Sequence, residues 1–448
     1  MKIQLSDHFT YRRLLKFAFP SIVMMVFTSI YGIVDGLFVS NFVGKTSFAS
    51  INLIMPILMI IGALGFMMGA GGTAIVSKTL GEGNEKLAKR YFSLFVYFTA
   101  IMGAVLAILG ASFIRPLSKL LGAEGELLEC CVRYGRIVIS AMPAFMLQNL
   151  FQSFFVVAEK PKRGLLVTVI AGITNMVLDA LFIAVFDMGL EGAALATSIS
   201  QVLGGVIPIF FFTGKNAGLI SLTRTKIYTK ALLRAATNGS SELMSNISAS
   251  VVTMLYNHQL MKFAGENGIA AYGVIMYLSF TFVAVFIGYS VSTAPVIGFH
   301  YGAGNKGELN NLLRKSAVIT LSLGGVMTVF ALVFSGTLAS VFVGYDAALT
   351  AMTTEGLRIF SLSFVFSGFS IFGSSFFTAL NNGPVSAFIS FMRTLVYQAL
   401  GVMLLPVFFD IGGIWYSMLT AEILAIMTTL ICIYALKNRY GYLKSSQK

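Results

Sequence analysis

Residues 48–77 read FASINLIMPILMIIGALGFMMGAGGTAIVS, thirty positions without one charged side chain. A helix rises ~1.5 Å per residue, and the hydrocarbon core of a bilayer needs ~20 mostly apolar residues to be crossed. The run is therefore a membrane span with residues to spare. It is too long for a barrel strand and lacks strict alternation, so the helical solution to spanning applies. Its glycines Gly62, Gly65, Gly69 and Gly72 recur on a small-residue face suited to close helix packing.

Runs of the same kind lie on both sides of it. The chain divides into twelve: 14–40, 48–77, 91–114, 131–156, 164–186, 190–213, 236–261, 268–297, 316–343, 352–379, 385–409 and 412–436. The composition agrees, with 57% hydrophobic and 11% charged residues, where a soluble domain carries ~25% charged. No polar stretch is long enough to fold as a separate soluble domain. The first run exceeds the ~7–15 residues of a signal-peptide core, so a cleavable leader is not expected.

The formal charge of +13 would suit a nucleic-acid binder in a soluble protein. Here the cations sit in short connections between apolar runs, which fits a membrane and no nucleic acid. With the N-terminus placed inside, inner pieces carry 23 of the 31 Lys+Arg and outer ones six: Lys45, Arg115, Lys119, Arg133, Arg136 and Lys262. Both termini are therefore expected in the cytoplasm. The cysteines Cys130, Cys131 and Cys432 and the three histidines show no metal-ligand spacing. No phosphate-binding loop is present, so uphill transport would draw on an ion gradient or a partner protein.

The halves resemble each other at an offset of about 222 residues. Gly83-Asn84 matches Gly304-Asn305, Pro161 matches Pro384, Ala49 falls opposite Ala271, and Gly192 corresponds to Gly413. The expected fold is an all-α polytopic membrane protein. Its twelve transmembrane helices form two pseudo-symmetric six-helix lobes, 1–213 and 236–448, joined by a cytoplasmic linker, 214–235. Two such halves face each other across a cleft, as alternating access requires.

An ionisable residue at the centre of a span costs at least ~2.5–3.5 kcal/mol, which makes it a functional candidate. Asp35 lies in span one and Asp179 in span five. Thr28, Tyr31 and Asp35 share one helix face, and Asn175 and Asp179 share another. With Thr197 near the start of span six, these groups can meet in the outer half of the first lobe. Two close carboxylates in a low-dielectric pocket cannot both ionise cheaply, which suits proton uptake. The same oxygens can equally hold sodium. Pro20 removes a backbone hydrogen bond in span one and can bend it there.

The second half places Asn257 opposite Asp35, Gln398 opposite Asn175 and Val402 opposite Asp179. Its own ionisable groups are Glu242, Arg393 and Glu422. Arg393 and Glu422 are expected to form a structural ion pair, and Glu355 and Arg358 a local pair near the outer surface. Glu242 is open between a cation or substrate ligand and an inner-interface residue. A possible second site gathers Glu242, Asn257 and Gln398. The 22 methionines and 40 phenylalanines can line an adaptable apolar cavity.

Several of these segments together carry a resemblance. They are Pro20…Tyr31…Asp35, GEGN at Gly81–Asn84 with GAGN at Gly302–Asn305, NMVLD at Asn175–Asp179, GLEGAALAT at Gly189–Thr197, and GGIW at Gly412–Trp415. In that order the chain resembles the multidrug and toxic compound extrusion (MATE) transporters over nearly its whole length. NNGP at Asn381–Pro384 and NGSSELMSN at Asn238–Asn246 resemble the MepA-type bacterial branch. The resemblance implies a multi-pass protein of the bacterial cell membrane that exports organic cations and drugs in exchange for protons or sodium. It further implies a cation site at Asp35, Asn175, Asp179 and Thr197, with Tyr31 and Pro20 at accompanying positions and span-one bending as part of coupling. Some members carry a span-seven glutamate as a second cation ligand, at a position similar to Glu242. No organic cofactor is expected, nor a partner beyond substrate and lipid, and the monomer is expected to act alone. A flippase for lipids or lipid-linked sugars is the alternative. An enzyme is not expected, because no nucleophile–base pair is present.

Overall fold

A computed structural model describes residues 3–214 and 218–443. Lys2, Lys215, Lys444 and Lys448, which enter the charge count, lie outside the described residues, as do positions 215–217 of the linker. Among the described residues every regular element is helical. In chain order the first half holds α1 (Tyr11–Phe42), α2 (Lys45–Gly81), α3 (Glu85–Leu120), α4 (Gly125–Ser140), α5 (Met142–Val157), α6 (Pro161–Asp179) and α7 (Gly189–Thr213). The second holds α8 (Thr229–Gly302), α9 (Lys306–Val343), α10 (Ala347–Ser361), α11 (Phe364–Ala379), α12 (Gly383–Phe391), α13 (Tyr397–Leu404) and α14 (Pro406–Tyr440). Two π-helical segments, Ala180–Val185 and Met392–Val396, extend α6 and α12.

Nine helices are individually long and apolar enough to cross a membrane, and two bent pairs raise that to eleven. The bends, 52° between α4 and α5 and 50° between α10 and α11, fall at the same place in the two halves. The 74-residue α8 is two spans joined at Gly265, whose φ of 60° and ψ of −149° break the helix. Dividing it there reconciles the count with twelve expected spans. The helices stay apolar on the outside: on α3, Ile101 and Ile108 are 65% and 69% exposed. Lipid solvates such faces, while helical bonding satisfies the backbone that lipid cannot.

The repeated turns have a local cause. Gly83 and Gly304 take positive φ (79° and 68°), where a side chain would strain the backbone. The asparagines that follow them cap the next helix. Asn84 Oδ1 accepts from Leu87 N at 3.1 Å, and Asn305 Oδ1 accepts from Glu308 N at 3.0 Å. Glu159 and Asn381, 222 positions apart, also share positive φ at the ends of α5 and α11.

Both ends of the described chain and the connections after α2, α5, α8 and α11 gather at one end of the bundle, here termed the basic end. There α2 and α8 cross without room for a side chain between them. A Cβ on Gly71 would strike the Ala235 carbonyl, and one on Gly239 the Met67 carbonyl. Lower down, Gly81 meets the Phe299 carbonyl and Gly302 the Lys78 carbonyl in the same reciprocal way. Glycine is required here for close approach, and the two halves are shut together at this end.

Residues 3–10 form no helix, yet they are partly buried beneath the basic end. Leu5 and Phe9 are fully buried in a cluster with Leu309, Leu312, Phe376 and Tyr442. Glu159 Oε1 accepts from Leu5 N at 2.9 Å. On the other side Glu308 Oε1 accepts from Phe9 N at 2.9 Å, and Lys315 Nζ donates to Phe9 O at 2.7 Å. The segment thus ties the end of α5, in the first half, to the start of α9, in the second.

Candidate functional site

The acidic pair expected in the first half is assembled by α1 and α6. Gly172 on α6 makes this possible: a Cβ there would stand 2.6 Å from Phe27 Cε1 and 2.9 Å from Tyr31 Cδ1. Without it, the Phe27–Tyr31 edge of α1 lies directly on α6, and Asp35 comes to Asp179. The two carboxyl groups are within hydrogen-bonding reach of each other. Asp179 is fully buried, and neither of its oxygens nor Asp35 Oδ1 receives a donor. Two ionised carboxylates offer only acceptors to each other. A proton or a cation between them supplies what the protein does not.

Asn175 is buried one turn below Asp179 on the same face. The π segment begins immediately after Asp179 and widens the helix at that point, a feature that recurs at functional sites. Thr197 comes from the third turn of α7, and its buried Oγ1 has no hydrogen-bond partner. Thr28 does not contribute, because its Oγ1 donates to Met24 O at 2.9 Å in its own helix. Pro20 stands in the interior of α1, which continues unbroken to Phe42.

One member of the site was missed in the sequence. Tyr134 on α4 is 2% exposed, and its hydroxyl lies beside Thr197 and near both carboxylates. It stands in an ordinary amphipathic stretch, GELLECCVRYGRIVIS, and the packing of α4 against α7 sets it beside Thr197.

The equivalent place in the second half is filled differently. Val402, opposite Asp179, is fully buried in a cluster with Tyr256, Tyr272 and Trp415. Tyr256 and Tyr272 stack with centroids 4.7 Å apart. Glu242, Asn257 and Gln398 are not brought together. Fifteen residues of α8 separate Glu242 from Asn257, about 22 Å along the axis. Glu242 instead lines a cavity of ≈ 130 Å³ between the halves, with Ser153, Ser290, Ser374 and Arg393 around it, and neither Asn257 nor Gln398 reaches it. Thr378, Ser386, Ser374 and Ser390 form a hydroxyl chain along its wall at 2.7–2.9 Å.

Arg393 and Glu422 form the expected pair: Nε to Oε1 at 2.9 Å and NH2 to Oε1 at 2.7 Å, with Glu422 fully buried. Arg358 behaves otherwise than expected. It donates to Ser335 Oγ on α9 at 3.0 Å, and among the described residues it makes no ion pair with Glu355.

A family model described as MatE matches this chain twice, over residues 20–181 and 243–403. The chain belongs to the MATE family. The multidrug export protein MepA of Staphylococcus saprophyticus is 23% identical over 436 residues, covering 96% of this chain and 94% of the relative. That of Staphylococcus haemolyticus is 23% identical and covers 97% and 96%. Among solved structures, one described as the outward-facing conformation of a multidrug resistance MATE family transporter superposes with a TM-score of 0.91 at 22% identity, covering 96% of this chain and 98% of that one. A MOP superfamily transporter from Pyrococcus furiosus, described as having reverse polarity in its binding pocket, gives 0.88 at 22% identity, with coverage of 96% and 97%. The chain is thus a multi-pass protein of a multidrug efflux family with the MATE fold.

Proposed function

We propose that this MATE protein is a cation-coupled antiporter of the bacterial cell membrane that exports organic cations and related drugs by alternating access. It works as a transporter rather than an enzyme, and as a monomer. The lobes 1–213 and 236–448 move against each other about the α2–α8 crossing, with both termini in the cytoplasm. The coupling ion, a proton or sodium, is taken up between Asp35 and Asp179, with Asn175, Thr197, Tyr31 and Tyr134 around it. Pro20 supplies the flexible point of α1.

The reading rests on one observation above all: two facing carboxyl groups, one of them fully buried, in which neither Asp179 oxygen nor Asp35 Oδ1 receives a donor. An arrangement that needs an added positive charge, in a helix pair that can separate, is what ion-coupled exchange uses. A lipid-linked pyrophosphate flippase would instead want unpaired cations in the cleft. The one guanidinium on the cavity wall, Arg393, is already bound to Glu422.

The test is export of a cationic dye from reconstituted vesicles under separate proton and sodium gradients. Dye movement should follow one or both gradients and stop when they are collapsed. No dye movement under either gradient, with movement of lipid-linked precursors instead, would establish the flippase.

A further inference from the structure

At the basic end, away from the acidic pair, α1 and the start of α6 enclose a groove of ≈ 550 Å³. Its walls carry Lys16 from α1, Lys160 from the α5–α6 turn and Lys162 and Arg163 from the first turn of α6, against a single carboxylate, Glu159. Glu159 already accepts from Leu5 N. Among the described residues none of the four cations forms an ion pair. Arg163 is held in place over the Phe211 ring, 4.9 Å from its centroid. Lys16, Lys162 and Arg163 are exposed, and Phe17 and Pro20 make the apolar floor.

What lies next to these cations identifies the ligand. From Lys162 an exposed apolar stripe continues along the same face of α6 through Leu166, Ile170, Ile173 and Val177, which are 58%, 40%, 48% and 58% exposed. The spacing of four, four, three and four keeps it on one side of the helix. On α1, Leu15 and Phe19 are exposed beside Lys16 at 41% and 64%. Both helices cross the membrane, so these faces meet acyl chains. A soluble anion would use the cations alone. A molecule with a phosphate at the basic end and hydrocarbon along α6 uses both.

We propose that the groove formed by Lys16, Lys160, Lys162 and Arg163 at the foot of α1 and α6 binds the headgroup of an anionic phospholipid, whose acyl chain lies along Leu166–Val177. Basic pockets between membrane helices recognise such headgroups through charge at the interface. The bound phosphate bridges α1 to α6 at the turn where Pro20 leaves the Lys16 carbonyl without its helical donor. The lipid therefore holds together the two helices that carry Asp35 and Asp179. This assignment rests on the groove and the membrane location, independently of which ion is coupled.

The test uses the full chain, purified and delipidated, with retention of phosphatidylglycerol or phosphatidylcholine read by native mass spectrometry. Wild type should prefer phosphatidylglycerol. The variant K16Q/K160Q/K162Q should lose most of that preference, at about fivefold per lysine. R224Q/K226Q/K230Q, which removes three cations elsewhere, should bind as wild type does. Leu166→Ser with Ile170→Ser should weaken lipid retention too, since the stripe is part of the site. Unchanged thermal unfolding of each variant in detergent confirms its fold. Equal phosphatidylglycerol binding by K16Q/K160Q/K162Q, an equal loss in the linker variant, or displacement of the lipid by millimolar inorganic phosphate would overturn the assignment.

Discussion

Asp179 is fully buried and its oxygens receive no donor from the protein, so its charge state is tied to what stands between it and Asp35. Asp35→Asn removes one of the two carboxylates with almost no change in volume. It should abolish gradient-driven export while leaving the protein folded, and Asp179→Asn should do nearly the same. Asn257→Ala should be mild, since the second half fills the matching space with aromatic packing. Dye export from vesicles measures all three, and normal export by Asp35→Asn would remove the coupling role of the pair. Tyr134→Phe tests the residue the sequence hid. It deletes one hydroxyl and should reduce coupled export without loss of stability. Arg393 and Glu422 make a contrasting case, in which charge serves structure. Glu422→Ala leaves a guanidinium without its partner and should destabilise by about 3–5 kcal/mol, whereas Arg393→Met with Glu422→Leu should recover much of the loss. Thermal unfolding in detergent distinguishes the two outcomes.

At the scale of elements, the α2–α8 crossing is the tightest joint between the halves. Gly71 and Gly239 each face a backbone carbonyl of the opposite helix, which cannot give way as a side chain could. Gly239→Val should therefore force the halves apart at the basic end. A thiol placed at Ser290, on the wall of the inter-half cavity, should then become reactive from that side, and export should fall because the shut state is lost. Labelling of Ser290→Cys in vesicles, with and without Gly239→Val, measures it; equal labelling would mean the crossing tolerates the side chain. The capping asparagines are a smaller matter. Asn84→Ala should cost about 1 kcal/mol through loss of its bond to Leu87 N, with no effect on the distance between the halves. The GEGN and GAGN segments are thus explained by turn chemistry, a glycine with positive φ followed by a helix cap.

For the whole molecule, the charge distribution makes a topological prediction. If the basic end faces the cytoplasm, a thiol at Asp410, exposed at the break between the last two spans, should be labelled from outside intact cells. A thiol at Lys226 in the exposed linker should not. The reverse pattern would invert the orientation. The N-terminal segment adds a second global link. Residues 3–10 join Glu159 on one side of the molecule to Glu308 and Lys315 on the other. Removing residues 2–9 should loosen the basic end, read as faster labelling of Ser290→Cys from that side.

Twelve spans, their all-helical character and the duplicated halves followed from the sequence alone, because lipid imposes one rule on every residue of a span: apolar outside, hydrogen bonds satisfied within. The same rule exposed Asp35, Asp179, Arg393 and Glu422, since a charge in an apolar run is visible without knowing its neighbours. What the sequence left open was set by approach between distant segments. The ~22 Å between Glu242 and Asn257 along one helix was readable from their spacing, but that Glu242 faces the cavity between the halves was not. Tyr134 looked like any core tyrosine until the packing of α4 against α7 set its hydroxyl beside Thr197 and the acidic pair. Residues 3–10 precede the first span and show no periodic pattern in the sequence, yet Leu5 and Phe9 are fully buried, because the hydrophobic surface that covers them is made by α9, α11 and Tyr442, hundreds of residues away. Local composition reports the solvent that a residue must face, and only the tertiary structure decides which other residues it meets there.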